Sequence, residues 1–127
     1  MTIRANQLWV VNVAGELSDL VRKITEFWDG FNRRIIGTQL VRAADSVGAN
    51  IAEGYGRCHT LDALRFYSIA RGSLEETMFW LRRAKNAGLI DNKTYWGLVS
   101  RYQILSRSLN KFIQTQQPAK TPLTDTR

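Results

Sequence analysis

With 127 residues, 44% hydrophobic and 23% charged, the chain has the size and balance of one globular domain. No apolar run reaches the ~20 residues of a membrane span, and a single cysteine, Cys58, excludes an intramolecular disulfide or a cysteine metal cage. Eighteen Lys and Arg against 11 Asp and Glu give a formal charge of +7, and 13 of the 18 are Arg, whose planar fork pairs with phosphates, so the balance points to nucleic acid as partner.

The first segment, Asn6 to Asp29, carries helical periodicity through Val13, Leu17, Leu20, Ile24, Phe27 and Phe31 at steps of three and four. Its early apolar run, Leu8 to Ala14, is short and broken by Asn12, which does not fit a signal peptide and implies a cytoplasmic location. Gly30 follows, and Asn32 to Gly37 reads as a connection or loose turn, with Thr38 as N-cap of the second helix. On a wheel of about 100° per residue, Ile36, Leu40, Ala44, Val47, Ile51 and Tyr55 share one arc. Gln39, Ser46, Asn50, Glu53 and Arg57 form a narrower polar line on its flank, where a neighbouring helix or subunit would touch. Gly54 and Gly56 are placed to end this helix in the left-handed region.

Thr60 is the expected cap of the third helix, with Asp62 complementing the dipole of its first turn. That helix should run to about Asn86 and stop at Gly88, its core stripe being Ala63, Phe66, Tyr67, Ala70, Leu74, Thr77, Leu81 and Ala84. Ile69 and Trp80 widen the stripe, and Phe79 lies beyond them. Asp91 caps the fourth helix, with Ile90 and Tyr95 spaced as a hydrophobic staple. Its seam is Tyr95, Leu98, Tyr102, Leu105, Leu109 and Phe112, opposite Lys93, Gly97, Ser100, Arg107 and Lys111. Residues 117–127 hold two prolines and no apolar pattern and read as a disordered tail. The expectation is all-α: an antiparallel up-down four-helix bundle over residues 1–116. The load of four Trp and five Phe suggests self-association.

Chemistry-bearing patterns are sparse. The sole histidine, His59, adjoins Cys58, but neighbouring side chains rarely converge and no second ligand is in view; the di-iron bundle motif needs two histidines. Glu53, Glu75 and Glu76 lack a catalytic partner, and Arg71 is spaced for helix-surface pairing with Glu75. Gly54-Tyr55-Gly56 ends a helix, whereas phosphate loops open one. Neither enzyme, cofactor nor metal site is expected. The cations, Arg22-Lys23, Arg33-Arg34, Arg42, Arg57, Arg82-Arg83-Lys85, Arg101, Arg107 and Lys111, are dispersed along the chain.

The stretch LVRAADSVGANIAEGYGR, followed after a short gap by ALRFYSIARGSLEE, resembles the four-helix-bundle proteins encoded in intervening sequences of bacterial large-subunit ribosomal RNA genes. Accessory proteins of diversity-generating retroelements are similar to the same family. The matching positions are Gln39, Arg42, Ala43, Ala44, Ser46, Asn50, Ile51, Glu53, Gly54 and Arg57, then Phe66, Ala70, Gly72, Ser73, Leu74 and Glu76. Between the first two helices the chain departs from the pattern: it lacks a proline and a Tyr-Gly-Leu lead-in and carries Arg33-Arg34-Ile35-Ile36-Gly37. The resemblance implies a ring-like homopentamer with a positively charged surface and a nucleic-acid-binding activity, RNA in particular.

Together these readings give a non-enzymatic, homo-oligomeric protein that binds RNA or DNA through phosphates, with Arg33, Arg34, Arg42, Arg57, Arg82 and Arg83 as contacts. Gln39, Ser46, Asn50, Glu53, Arg71, Ser73 and Glu76 are assigned to inter-helix or inter-subunit networks. The alternative is an interaction scaffold, such as an accessory subunit of a reverse transcriptase, marked by an exposed aromatic patch around Phe79.

Overall fold

The structure is a computed structural model that describes residues 3–116, with side chains placed from 8 to 115. The tail at 117–127 lies outside the described residues. Four long helices and no strand occupy them: α1 (Ile3–Thr25), α2 (Thr38–Tyr55), α3 (Thr60–Asn86) and α4 (Asn92–Gln116). Each packs on its chain neighbours, and α4 closes back on α1. Contacts between neighbours pair rising with falling residue numbers. Ser18 meets Asp45 and Ala14 faces Gly48; Ser46 meets Ser73; Tyr67 meets Phe112 and Lys85 meets Tyr95. Consecutive helices therefore run antiparallel, as short connections require. No helix among the described residues is long and apolar enough to cross a membrane.

The α4 seam is buried as its periodicity predicts: Tyr102, Leu105 and Leu109 are fully inaccessible, with Tyr95, Leu98 and Phe112 close behind. The start of α4 follows its cap signal. Asp91 Oδ1 accepts the Thr94 N–H at 2.7 Å, and that backbone bond first of all holds the Asp91 carboxyl below its ordinary range. At the end of α3, Gly88 takes φ 76°, the left-handed value that glycine adopts without a Cβ penalty. Its N–H bonds to Lys85 O at 3.0 Å and the Leu89 N–H to Ala84 O at 2.9 Å, the paired bonds of a Schellman stop.

Other local expectations are corrected. In α1 the buried stripe is Val10, Ala14, Leu17 and Val21, continued by Ser18 and Thr25, whereas Phe27 and Phe31 project into solvent. The helix stops at Thr25, and the Trp28 ring turns inward instead, 3.6 Å from where a Gly37 Cβ would stand. Asn32 to Gly37 is not a loose turn. Asp29 accepts the Asn32 N–H at 3.1 Å and starts a helical turn at Gly30–Asn32, which passes through a π-turn, Arg33–Gly37, directly into α2. Thr38 is thus inside a continuous helical path, its N–H bonded to Arg33 O, and caps nothing. Thr60 is likewise the first residue of α3, behind an extended His59 that offers no side-chain cap.

Tyr55 is exposed rather than on the core arc. Gly54 and Gly56 do not take left-handed values; Gly56 has φ −78°. Gly54 serves close approach instead. A Cβ there would stand 2.5 Å from Tyr67 Cε1, so α2 and α3 meet over a bare backbone.

Candidate nucleic-acid interface

Antiparallel order collects charge that the sequence spreads out. The last turn of α1, the Gly30–Gly37 lead-in, the last turn of α3 and the first turn of α4 all lie at one end of the bundle, here termed the crown. Arg22, Lys23, Arg33, Arg34, Arg82, Arg83, Lys85 and Lys93 stand there, against Glu26, Asp29 and Asp91. Two of those three acids are N-caps, their charge committed to helix starts: Asp29 to the Asn32 side chain and backbone, Asp91 to Thr94. Below the crown, level with the Ser18–Asp45 and Ser46–Ser73 contacts, lie Glu16, Asp19, Asp45, Glu75 and Glu76. Cations below the crown (Arg42, Arg57, Arg65, Arg71, Arg101, Arg107 and Lys111) balance the acids there, so the excess positive charge of the described side chains is gathered at the crown.

Some crown cations have local work. Arg22 pairs with Asp45 at 2.9 Å, and Lys85 lies over the Tyr95 and Trp96 rings at 4.9 and 5.7 Å. Lys23 and Arg83 sit in last turns, where cations offset the helix dipole. Arg33 and Arg34 differ: they open a helical path just past its first turn, the end at which the dipole favours anions. Arg33 Nη1 donates to Glu26 O at 3.4 Å, and the Arg34 Nη1 lies 3.3 Å from where a Gly30 Cβ would stand. Among the described residues, Arg33, Arg34, Arg82 and Arg83 form no ion pair.

The remaining predicted cations lie elsewhere. Arg42 is exposed on α2 just below the crown, close to the level of the Arg22–Asp45 pair. Arg57 is at the opposite end and already engaged: it pairs with Glu53 at 2.7 Å and Asp62 at 3.6 Å and lies 4.5 Å from the Phe66 ring centre. Arg65 shares both Asp62 and Phe66, and its hydrogen bond is the foremost cause holding the Asp62 carboxyl low.

The polar residues divide in the same way. Ser46 and Ser73 hydroxyls meet at 2.8 Å between α2 and α3, and Asn50 Nδ2 donates to Ser46 Oγ and to Ser46 O, each at 2.8 Å. The upper part of the polar line thus has its partner within the same chain. Glu53 turns to Arg57, Gln39 is half-buried on α2, and Glu76 accepts from Trp80 Nε1 at 3.1 Å. Arg71 reaches Asn110 of α4 at 3.2 Å rather than Glu75. His59 and Cys58 are exposed.

Sequence reasoning missed Lys23 and Lys93 as companions of the Arg pairs. Only the helix order, by which residues 22–34 and 82–93 share an end, shows them to be so.

Comparison with known proteins agrees with the architecture. The family model described as 23S rRNA-intervening sequence protein matches residues 6–111. A crystal structure of a protein with unknown function from the S23 ribosomal protein family of Bacteroides thetaiotaomicron is similar, with a TM-score of 0.80 and 20% identity, covering 86% of this chain and 98% of that one. At that identity the likeness supports the fold alone. No curated protein matches the sequence.

Proposed function

The chain belongs to the 23S rRNA-intervening sequence protein family, and from that premise we propose that it is a non-enzymatic, cytoplasmic protein that binds RNA by its phosphates at the crown. The observation that carries this reading is the placement of Arg33 and Arg34, without ion-pair partners, beside the last turn of α3 with Arg82 and Arg83. Phosphate oxygens accept bidentate bonds from guanidinium groups, and each contact releases condensed counterions, so affinity must fall with salt. Arg42 extends the surface down α2. Arg57, tied to Glu53, Asp62 and Phe66, belongs to the other end and is left out of the contact set.

Residues 1–116 form the bundle domain in this proposal, and the chain assembles as a homo-oligomer, the ring-like pentamer that the family resemblance implies. Exposed Trp9 and Ile104 on the α1–α4 side support assembly, since such side chains gain by burial between subunits. A second reading has one observation in its favour. Phe79 and Trp96, 53% and 56% exposed, flank a groove between α3 and α4 suited to a protein partner such as a nucleic-acid enzyme.

The test is binding of the full chain to a structured RNA across a salt series. Tight binding at about 50 mM salt that weakens steeply by about 200 mM is expected. No binding at low salt, or binding indifferent to salt, would refute the proposal. Sedimentation of the same sample reads the subunit number.

A further inference from the structure

The segment joining α1 to α2, Glu-Phe-Trp-Asp-Gly-Phe-Asn-Arg-Arg-Ile-Ile-Gly from Glu26 to Gly37, tops the crown. One of its aromatic rings is used by the fold: Trp28 is buried against Gly37. The other two are not. Phe27 is 88% exposed and Phe31 62%, the largest exposures of any aromatic side chain described. A phenyl left in water forgoes the burial that normally places Phe in a core, and nothing in the described chain covers these two.

The residue before each ring has a guanidinium anchored at it. Arg33 donates to the carbonyl of Glu26, the residue before Phe27. Arg34 lies over Gly30, the residue before Phe31. The π-turn that carries both arginines widens the helical path there, a distortion common at functional sites. Exposed rings interleaved with cations are the arrangement that takes a single nucleic-acid strand, phosphates on the cations and base faces on the rings. A duplex cannot use the rings, because its bases are already stacked inside and the A-form major groove is too deep and narrow to read. A second copy of this surface would bring the same positive charge, so the charge favours a polyanion over self-contact.

We propose that Phe27 and Phe31 are stacking platforms for unpaired bases of an RNA whose phosphates lie on Arg33 and Arg34. The substrate class is then single-stranded or looped RNA rather than continuous duplex. This inference rests on the phosphate-binding reading above and refines it.

The experiment uses the full chain with an unstructured oligouridine of about 12 nucleotides and an RNA duplex of the same length, at low salt. The wild type should bind the single strand more tightly. F27A/F31A should lose about tenfold or more for the single strand while keeping duplex affinity, salt slope and melting temperature. F27W/F31W should retain single-strand binding, and R33A/R34A should weaken both ligands. If F27A/F31A binds the oligouridine like the wild type, or if its main change is a different mass in solution, the stacking inference is wrong and the phosphate reading stands. If the wild type binds neither RNA, both fall together.

Discussion

Alanine at Gly54 should destabilise the bundle, although the same change in an exposed helix position stabilises it. The added Cβ would stand 2.5 and 2.9 Å from Cε1 and Cδ1 of Tyr67 and 3.0 Å from the backbone oxygen of Ala63. Tyr67 cannot swing away: it is 1% exposed and packs edge-on against Phe112 at 5.1 Å. Relief must come from separating α2 and α3. Overpacking of this kind costs about 1–3 kcal/mol against the roughly 1 kcal/mol that alanine gains over glycine in a helix. Contacts this short with a ring that cannot move put the cost toward the upper part of that range, so a net loss of up to about 2 kcal/mol is expected. Gly72 supplies the contrast. It is exposed in the middle of α3 with nothing near its missing Cβ, and Gly72→Ala should gain about 0.5–1 kcal/mol. Urea unfolding of the two variants beside the wild type reads both signs. A stabilised Gly54→Ala would mean that the helices do not approach as closely as described.

The second large effect concerns binding. Replacing Arg33, Arg34, Arg82 and Arg83 together by alanine should weaken RNA binding on the order of 100-fold near about 100 mM salt. Each lost phosphate contact removes about 0.7–0.9 from the slope of log affinity against log salt, so the slope should flatten by about three. The fold should hold, since all four side chains are exposed and free of ion pairs among the described residues. Arg57→Ala is the matched control. It removes one cation at the far end, and should leave the salt slope unchanged while loosening the start of α3, where Asp62 and Phe66 lose a partner. Equal losses from Arg57→Ala and from the crown variant would point to diffuse charge rather than a site.

Much of the architecture was legible because some segments admit only one phase. In α4 the seam from Tyr95 to Phe112 is opposed by a largely polar face that only Trp96 and Ile104 interrupt. Asp91 marks its start and Gly88 the end of α3 before it, through side-chain and backbone chemistry that acts locally. In α1 the phase was ambiguous. Val11, Val13, Leu20 and Ile24 are half-buried around the stripe Val10, Ala14, Leu17 and Val21, so two adjacent registers satisfy the same period and only the partner helices choose. The run Arg33 to Gly37 lacks the look of a helix start because the start is Asp29, four residues before Arg33, and a π-turn then shifts the spacing.

The polar line on α2 was visible as an edge. Its partner Ser73 comes from another helix at a level that no local spacing gives. The crown was illegible for a related reason. Arg22 to Arg34 and Arg82 to Lys93 are far apart in sequence and become one surface only when antiparallel order is known.

The central claim, that RNA lies on the crown, is tested most directly by lysine protection. Lys23, Lys85 and Lys93 stand at that end, and Lys111 lies toward the other end of α4. Acylation of the full chain with and without saturating RNA, read residue by residue by mass spectrometry, should show Lys23, Lys85 and Lys93 shielded while Lys111 stays reactive. Shielding of Lys111 with the three crown lysines unaffected would contradict the account.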